Sequence, residues 1–261
     1  DAIVCTHSFP CVCINLLKKL KIIKSNLFAI ITDYSINSFW INKNVDYYII
    51  PHKNLEYGLI KNNIPQKKIK ILGIPIDAKF NMPLNKQELY DKYKIPLDKT
   101  IILIMGGSLG LGRIEECVSD LIENPDLFII IVCGKNKILE NNLCDNYLGC
   151  PNLSILGYVN NVHELMELAD CLICKPGGLT IAEALAKNIN IITISPIPGQ
   201  EEENNKFLLE NNLAVYAKDT TKINDILKTL PDKDKKISEH AYPNSALDIA
   251  NLILRGRSCL S

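Results

Sequence analysis

The sequence predicts an α/β protein with two units of parallel β-sheet, the first of them incomplete. Short apolar segments of strand length alternate with amphipathic segments of helix length, and loops containing Gly, Pro or Asn join them. Strands separated by helices of this length predict parallel sheets covered on both faces. With 261 residues, 47% of them hydrophobic, the chain is long enough for one large or two smaller domains.

The first 80 residues resemble part of one such unit. The predicted strands are Ala2–Cys5, Leu27–Thr32, Tyr47–Ile50 and Ile69–Leu72. The stretch Asp77–Lys99 is polar and contains two prolines, as expected of a connector. We therefore divide the chain into a partial first domain at residues 1–80, a connector at 81–99 and a second domain at 100–261.

The strand–helix alternation is clearest from residue 100 onward. The predicted strands are Ile101–Met105, Leu127–Cys133, a short strand ending at Leu156, Cys171–Cys174 and Ile191–Ile194. The predicted helices are Arg113–Glu123, one after Asn136, Val162–Ala169, one starting at Thr180 and one ending at Asn211. In an open parallel sheet, ligands bind outside the carboxyl ends of the strands, so the loops after these strands are the place to look for chemistry.

Composition excludes several classes of protein. Lys plus Arg (29) equals Asp plus Glu (29), so no overall field attracts nucleic acid. No apolar run reaches the length of about 18 residues that spans a bilayer. Asp1 leads directly into a predicted strand, which indicates no signal peptide. Because a natural chain starts with Met, we expect a first segment to be missing.

The 10 cysteines are interpreted as reduced packing residues. Cys5 and Cys133 lie in or beside apolar runs, where a free cysteine behaves as a small hydrophobe. Cys171 and Cys174 have metal-ligand spacing, but no second Cys or His pair completes a zinc set. The sequence therefore predicts no metal site and a cytosolic protein.

Two glycine-bearing loops suit a phosphate. Gly106–Gly110 follows a strand and opens a helix, so backbone amides can approach an anion, although any tight turn between a strand and a helix uses glycine. The segment Lys175–Glu183 places a second helix start at the same edge. There, Thr180 is expected to cap the helix or touch phosphate. Glu183, expected in the first turn, either binds two ribose hydroxyls or complements the helix dipole.

A third loop, Pro198–Asn204, is rich in hydrogen-bonding groups. Its residues Gln200, Glu201 and Asn204 supply the donors and acceptors that a hexose needs. The alternative is a solvated acidic helix start, because three consecutive glutamates also suit a helix N-terminus.

From Asp1 to about Asn212, the sequence resembles the diacylglycerol glycosyltransferases, which include bacterial processive glucosyltransferases and plant-type monogalactosyldiacylglycerol synthases. The blocks that carry this resemblance are Thr6–Pro10, Thr32–Trp40, Gly73–Ile76, Met105–Gly107, Cys133–Asn136, Lys175–Thr180 and Pro198–Glu201. The resemblance implies a GT-B fold, with two Rossmann-like domains, and inversion at the sugar carbon.

The resemblance also implies roles for the loops. It assigns the first glycine loop and the start of the helix after Lys175 to the diphosphate. The loops after the second and third strands of the second domain are assigned to uridine. Glu183 is assigned to the ribose, and Gln200 with Glu201 to the hexose. The implied donor-binding residues are Gly106, Gly107, Ser108, Gly110, Gly134, Lys135, Asn136, Gly157, Tyr158, Val159, Lys175, Gly177, Gly178, Thr180, Glu183, Pro198, Gly199, Gln200, Glu201 and Asn204.

Two departures from the family pattern affect the acceptor side. The family has a histidine three residues before the tryptophan of the Thr32–Trp40 block, and Asn37 stands there instead. An amide cannot act as a base near neutral pH. The family's opening strand and Gly-rich, His-containing loop are also absent. The catalytic candidates are therefore Asp33 and His7, and we expect this chain to bind nucleotide but to transfer sugar negligibly when it is alone. For His7, a packing or hydrogen-bonding role at a strand end is an equal alternative.

The implied reaction is transfer of glucose or galactose from a UDP-sugar to diacylglycerol, without a cofactor or a metal. The Asp-x-Asp triplet at Asp232–Asp234 is discounted because it lies in a lysine-rich tail. The alternatives are a UDP-N-acetylglucosamine transferase acting on a polyprenyl-linked peptidoglycan precursor and a non-catalytic UDP-sugar-binding module. The expected location is the inner face of the cell membrane, and no nucleic acid is expected as a partner. The lysines of Leu16–Lys24 form either an anionic-lipid contact or an ordinary solvated face.

Overall fold

The computed structural model of the chain describes residues 1–107, 109–110, 112–230 and 239–257. These residues form two compact units. One contains residues 1–81 and the segment from His240 onward, and the other contains Met82–Glu239. Each unit is an α/β structure with its own parallel sheet, so the predicted fold class is confirmed.

The first unit contains a four-stranded sheet in the order β1-β2-β3-β4, with every neighbouring pair parallel. Its strands are β1 (Ala2–Cys5), β2 (Asn26–Ile30), β3 (Tyr47–Ile50) and β4 (Ile69–Ile71). Its helices are α1 (Ser8–Lys19), α2 (Glu56–Lys61) and a C-terminal helix, α10 (Ser245–Arg257). The four strands lie within two residues of their predicted positions because each is a short apolar run.

The C-terminal helix belongs to the first unit, whereas the sequence assigned it to the second. Ile249 of α10 packs in a buried cluster with Phe28 and Ile49 of the first sheet. The buried hydroxyl of Ser245 donates a hydrogen bond of 2.6 Å to the carbonyl oxygen of Ile74. An amphipathic sequence pattern shows that a helix has an apolar face, but it does not show which sheet that face covers.

The second unit contains a six-stranded parallel sheet in the order β10-β9-β8-β5-β6-β7. Its strands are β5 (Thr100–Met105), β6 (Leu127–Val132), β7 (Leu153–Leu156), β8 (Cys171–Cys174), β9 (Asn190–Thr193) and β10 (Val215–Tyr216). Its helices are α3 (Lys86–Tyr93), α4 (Ile114–Leu121), α5 (Lys137–Asn146), α6 (Val162–Leu168), α7 (Gly178–Ala186), α8 (Gln200–Glu210) and α9 (Ile223–Leu227).

The central strands of this sheet are buried along nearly their whole length, which is why they appear in the sequence as apolar runs. All six residues of β6 are buried, as are Ile101–Met105 of β5 and all four residues of β8. Burying an Ile or Leu side chain contributes about 1.5–3 kcal/mol relative to leaving it in water. These strands therefore form a rigid base for the loops that follow them.

The described cysteines are free, and the buried ones act as core residues, as the sequence predicts. Cys133, Cys171 and Cys174 are at most 2% exposed. Burial raises the pKa of the Cys133 thiol to about 11 and, together with the nearby Glu201 carboxylate, that of Cys174 to about 12. Nowhere in the described part of the chain do three His, Cys, Asp or Glu side chains group as metal ligands would.

None of the described helices combines the length and apolar character needed to cross a bilayer.

The stretch predicted as a connector is structured and belongs to the second unit. Its helix α3 is fixed to α6 through Glu164, whose Oε2 accepts hydrogen bonds from Lys92 Nζ at 2.5 Å and from the Tyr93 hydroxyl at 2.6 Å. Asn161 Nδ2 donates to the same oxygen at 3.2 Å. Burial opposes ionisation of Glu164, but the three donors outweigh it and lower the pKa of the carboxyl to about 2.

Replacing Glu164 is expected to destabilise the second unit in a pH-dependent way. The folded carboxyl titrates below its ordinary pKa of 4.5, so its contribution is fully present above that pH and is lost as the pH falls toward about 2. The difference in free energy of unfolding between wild type and Glu164→Gln should therefore shrink across this window in urea titrations. As a control, Glu210→Gln alters an exposed pair 4.0 Å apart and should show no such trend. A Glu164→Gln difference that stays constant with pH would contradict the assignment.

Candidate functional site

The strand order of the second sheet identifies where a ligand fits. From β5, the chain adds β6 and β7 on one side of the sheet, then crosses to add β8, β9 and β10 on the other. The strands β5 and β8 are paired in parallel, with Met105 level with Cys174. Loops leaving two such strands diverge and leave a crevice, which is the usual ligand position in open parallel sheets. The two glycine-bearing loops of the sequence leave β5 and β8.

The loop after β5 is held close to the loop after β6. Gly110 has a φ of +56°, and a Cβ atom there would lie 2.1 Å from the carbonyl oxygen of Cys133. Only glycine fits both constraints. Asn136 completes the contact: its Nδ2 donates to the Gly110 carbonyl oxygen at 3.2 Å, while its Oδ1 accepts the Leu139 amide at 3.0 Å and caps α5.

The loop after β8 leads into helix α7, and no side chain caps the start of this helix. Helix α7 begins at Gly178 with Gly177 as its N-cap, so no side chain caps it. The first turn of α7 contains no acidic residue, whereas α4, α5 and α8 all carry glutamate there. An uncapped helix start without its own carboxylate favours an external anion.

Two predictions about α7 are corrected by its actual starting point. Thr180 is the third residue of the helix, so it is not the cap. Glu183 lies in the second turn rather than the first, too far along the helix for a favourable interaction with its N-terminal dipole. The helix-dipole explanation of Glu183 is therefore wrong. Its partly buried side chain follows the open helix start by one and a half turns.

The loop after β9 is organised by the carboxylates of α8. Glu201 Oε2 accepts the amide of Ile197 at 2.8 Å, and Glu202 Oε2 accepts that of Gly199 at 3.2 Å. The fully buried Asn204 donates through Nδ2 to the Pro176 carbonyl oxygen at 3.0 Å, which joins α8 to the loop after β8. Two of the three glutamates at this helix start thus have specific backbone partners, while Glu202 and Glu203 are also exposed to solvent. Gln200 and Pro198 are exposed beside it.

The loops after β6 and β7 lie side by side. The Lys135 ammonium is 5.7 Å from the centre of the Tyr158 ring, and that ring is 58% exposed. Gly157 leaves room for Glu140, because a Cβ atom there would lie 2.8 Å from its carboxylate. Together with the loop after β5, these segments give one continuous edge of loops. Gly134 and Val159 lie in the same two segments.

Some of the residues predicted for the site are not among the described residues, and two residues near the site were not predicted from the sequence. Ser108 and the Asp232–Asp234 triplet are not among the described residues. The sequence did not single out Gly112, although it is the next glycine in the same run. It has a φ of +121°, and a Cβ atom there would lie 3.8 Å from the Lys175 side chain. Nor did the sequence single out Ser195, which follows β9 with a φ of +41°, a strained value for a residue with a side chain.

The two catalytic candidates lie on neighbouring loops of the first unit. His7 follows β1 and Asp33 follows β2, and Thr32 Oγ1 donates to the Thr6 carbonyl oxygen at 3.4 Å between them. His7 caps α1, because its Nδ1 accepts the Phe9 amide at 3.2 Å. Asn37 likewise caps a short 3-10 helix over Ser38–Trp40.

Two family models match the chain, one in each of its two parts. Residues 1–76 match the model of monogalactosyldiacylglycerol (MGDG) synthase, and residues 101–252 match that of the glycosyltransferase family 28 C-terminal domain. The chain belongs to the diacylglycerol glycosyltransferase family. As a family member, it is 32% identical over 233 residues to a processive diacylglycerol beta-glucosyltransferase of Bacillus cereus. It is also 33% identical over 226 residues to that of Bacillus licheniformis.

These alignments cover 88% and 86% of the chain but only 60% and 59% of the two relatives. Among solved structures, Acinetobacter baumannii MurG aligns with 98% of the chain and 73% of its own, at a TM-score of 0.69 and 19% identity. Anabaena HepE in complex with UDP aligns with 100% of the chain and 79% of its own length, at a TM-score of 0.64 and 14% identity. These likenesses confirm the GT-B fold class.

Substitution of Gly110 should separate steric from backbone constraints at the site. Gly110→Ala places a methyl group against the Cys133 carbonyl oxygen, whereas Gly149→Ala, with a φ of +80°, has nothing within 4 Å. A left-handed alanine costs about 1–2 kcal/mol. Gly149→Ala should lose about that much stability, and Gly110→Ala should lose at least about 2 kcal/mol more because the backbone must move. Chemical denaturation measures both, and equal losses would contradict the described contact.

Proposed function

We propose that the second unit binds a UDP-hexose and that the protein transfers the hexose to diacylglycerol with inversion at the anomeric carbon. The observation that carries this proposal is the open start of α7 beside the β5 loop, at the strand-order reversal of the second sheet. This is where a parallel sheet binds a nucleotide phosphate. The family membership of the chain supports the choice of donor and acceptor.

The diphosphate fits between the β5 loop and α7. The exposed Gly107 allows a ligand to approach the backbone of the β5 loop closely, and Gly177 and Gly178 open α7 without a capping side chain. Negative charge accumulates on the diphosphate as the bond to the sugar breaks. Amides and a helix dipole already aimed at it stabilise that charge in the transition state without reorganising.

The remaining loops divide the rest of the donor between them. We assign the uracil ring to the exposed face of Tyr158 beside Lys135, and the ribose hydroxyls to Glu183 in the second turn of α7. The hexose is assigned to Gln200 and Glu201, because the glutamates at the start of α8 make that helix end unfavourable for phosphate but suitable for hydroxyl groups.

The acceptor hydroxyl needs a base, and the geometry of the first unit favours Asp33. The Nδ1 atom of His7 already accepts the Phe9 amide, so the neutral ring carries its proton on Nε2. Such a ring has no free lone pair for a substrate proton unless it leaves the helix cap. Asp33 is partly exposed on the adjacent loop, and a carboxylate, unlike an imidazole ring, has no tautomer that prevents it from accepting a proton.

A diacylglycerol acceptor requires contact with a bilayer, and α1 has a suitable surface. Its exposed apolar positions follow a helical stripe: Phe9, Cys13, Leu16 and Leu20. The predicted lysine face is smaller than expected, because Lys18 Nζ lies 2.6 Å from Asp46 Oδ2 and is mostly buried. The exposed lysines at 19, 21 and 24 flank the end of the stripe. We propose that this surface rests on anionic lipid.

Removal of the Glu183 carboxylate should weaken UDP binding. A hydrogen bond to a charged group is worth roughly 1.5–3 kcal/mol, so Glu183→Ala should lose about ten-fold or more in affinity for UDP, with little change for uracil or free diphosphate. Glu123→Ala, an exposed glutamate beyond the end of α4, is the matched control. Calorimetry that finds unchanged UDP affinity in Glu183→Ala would remove this residue from the site.

Binding to vesicles should depend on both parts of the α1 surface. Leu20→Ser should reduce binding to all vesicles, whereas Lys19→Gln with Lys21→Gln should remove the dependence on anionic lipid and salt, at about 1 kcal/mol per lysine. Leu254→Ser is the matched control, because Leu254 on α10 and Leu20 are both 59% exposed. Sedimentation with phosphatidylglycerol and phosphatidylcholine vesicles measures this. Binding that is indifferent to all of these changes would rule out the surface.

A further inference from the structure

A charged side chain is buried at the carboxyl end of β8. Lys175 follows this strand directly and is only 9% exposed. Its Nζ lies 3.2 Å from Glu201 Oε1, in the first turn of α8. An ammonium group buried in this way is tolerated only with a counter-charge, so Lys175 and Glu201 act as one unit.

The Glu201 carboxylate is held at both of its oxygens. Lys175 approaches Oε1, and Oε2 accepts the backbone amide of Ile197 at 2.8 Å. Glu201 also lies in the first turn of α8, where the helix dipole attracts negative charge. The orientation of this carboxylate is therefore set by Lys175 on one side and by the loop backbone on the other.

The stem of Lys175 connects this carboxylate to the glycine loop after β5. A Cβ atom placed on Gly112 would lie 3.8 Å from both Cγ and Cδ of Lys175. The same side chain thus lies next to the loop proposed for the diphosphate and neutralises the carboxylate proposed for the hexose. Asn204, which binds the Pro176 carbonyl oxygen, keeps α8 against this segment.

We propose that Lys175 is a positioning residue for the donor sugar, acting through Glu201. It holds the carboxylate where hexose hydroxyls donate to it, and it cancels a negative charge that would otherwise repel the adjacent diphosphate. The pair therefore recognises a neutral, hydroxyl-rich sugar joined to an anion. This inference rests on the proposed function of the second unit.

The test separates charge from packing by calorimetry with UDP and UDP-glucose. Lys175→Met keeps the apolar stem and removes the ammonium. It should weaken the affinity for UDP about ten-fold or more, because the charge of Glu201 is left unpaired next to the diphosphate. Lys175→Met with Glu201→Gln leaves no unpaired charge. It should restore UDP affinity to within about three-fold of wild type, while the preference for UDP-glucose over UDP stays lost.

Lys206→Met is the matched control, since Lys206 lies on α8, the helix of Glu201, and its side chain is 64% exposed. It should bind both ligands as wild type does. If Lys175→Met does not fold, the double variant can be compared with Glu201→Gln alone. That comparison still measures the effect of the Lys175 ammonium on the affinities for UDP and UDP-glucose.

The outcomes distinguish this inference from the function on which it rests. Wild-type affinities in Lys175→Met would overturn it. So would a double variant that binds UDP no better than Lys175→Met, because Lys175 would then contact the diphosphate directly. A wild-type protein that binds no UDP would instead remove the proposed function.

Discussion

The parallel pairing of β5 with β8 determines the rest of the second unit. These strands are far apart in the chain, and their register places Met105 beside Cys174. Because the sheet grows in opposite directions from this pair, the loops that leave it must diverge. The approach of Lys175 to Gly112 follows from that pairing, and the uncapped start of α7, which results from Gly177, lies at the same edge of the sheet.

In the proposed donor site, the distribution of charge matches the different parts of a UDP-hexose. The start of α7 has no carboxylate of its own, whereas the start of α8 has three. Two helix ends with the same dipole therefore offer different surfaces, one for an anion and one for hydroxyl groups. The buried Lys175 neutralises a carboxylate of α8 next to the loop proposed for the diphosphate.

Much of this could be predicted from the sequence, because local patterns determine it. Buried strands such as β6 are unbroken apolar runs, and glycines mark the loops that bend tightly. Predictions failed where a distant partner or the helix start decides the outcome. Thr180 resembles a cap, yet α7 starts two residues earlier, which moves Glu183 into the second turn. Similarly, nothing in the pattern of α10 indicates that it packs on Phe28 of the first sheet.

The central claim is that one edge of the second sheet is the donor site. Hydrogen–deuterium exchange with UDP-glucose, compared with UDP and with no ligand, tests it most directly. We predict slower exchange in the loops after β5, β6, β7 and β8 with either ligand, and in the loop after β9 only when the sugar is present. Protection at the opposite edge of the sheet, around Asn124 and Asn190, or no protection at all, would contradict it.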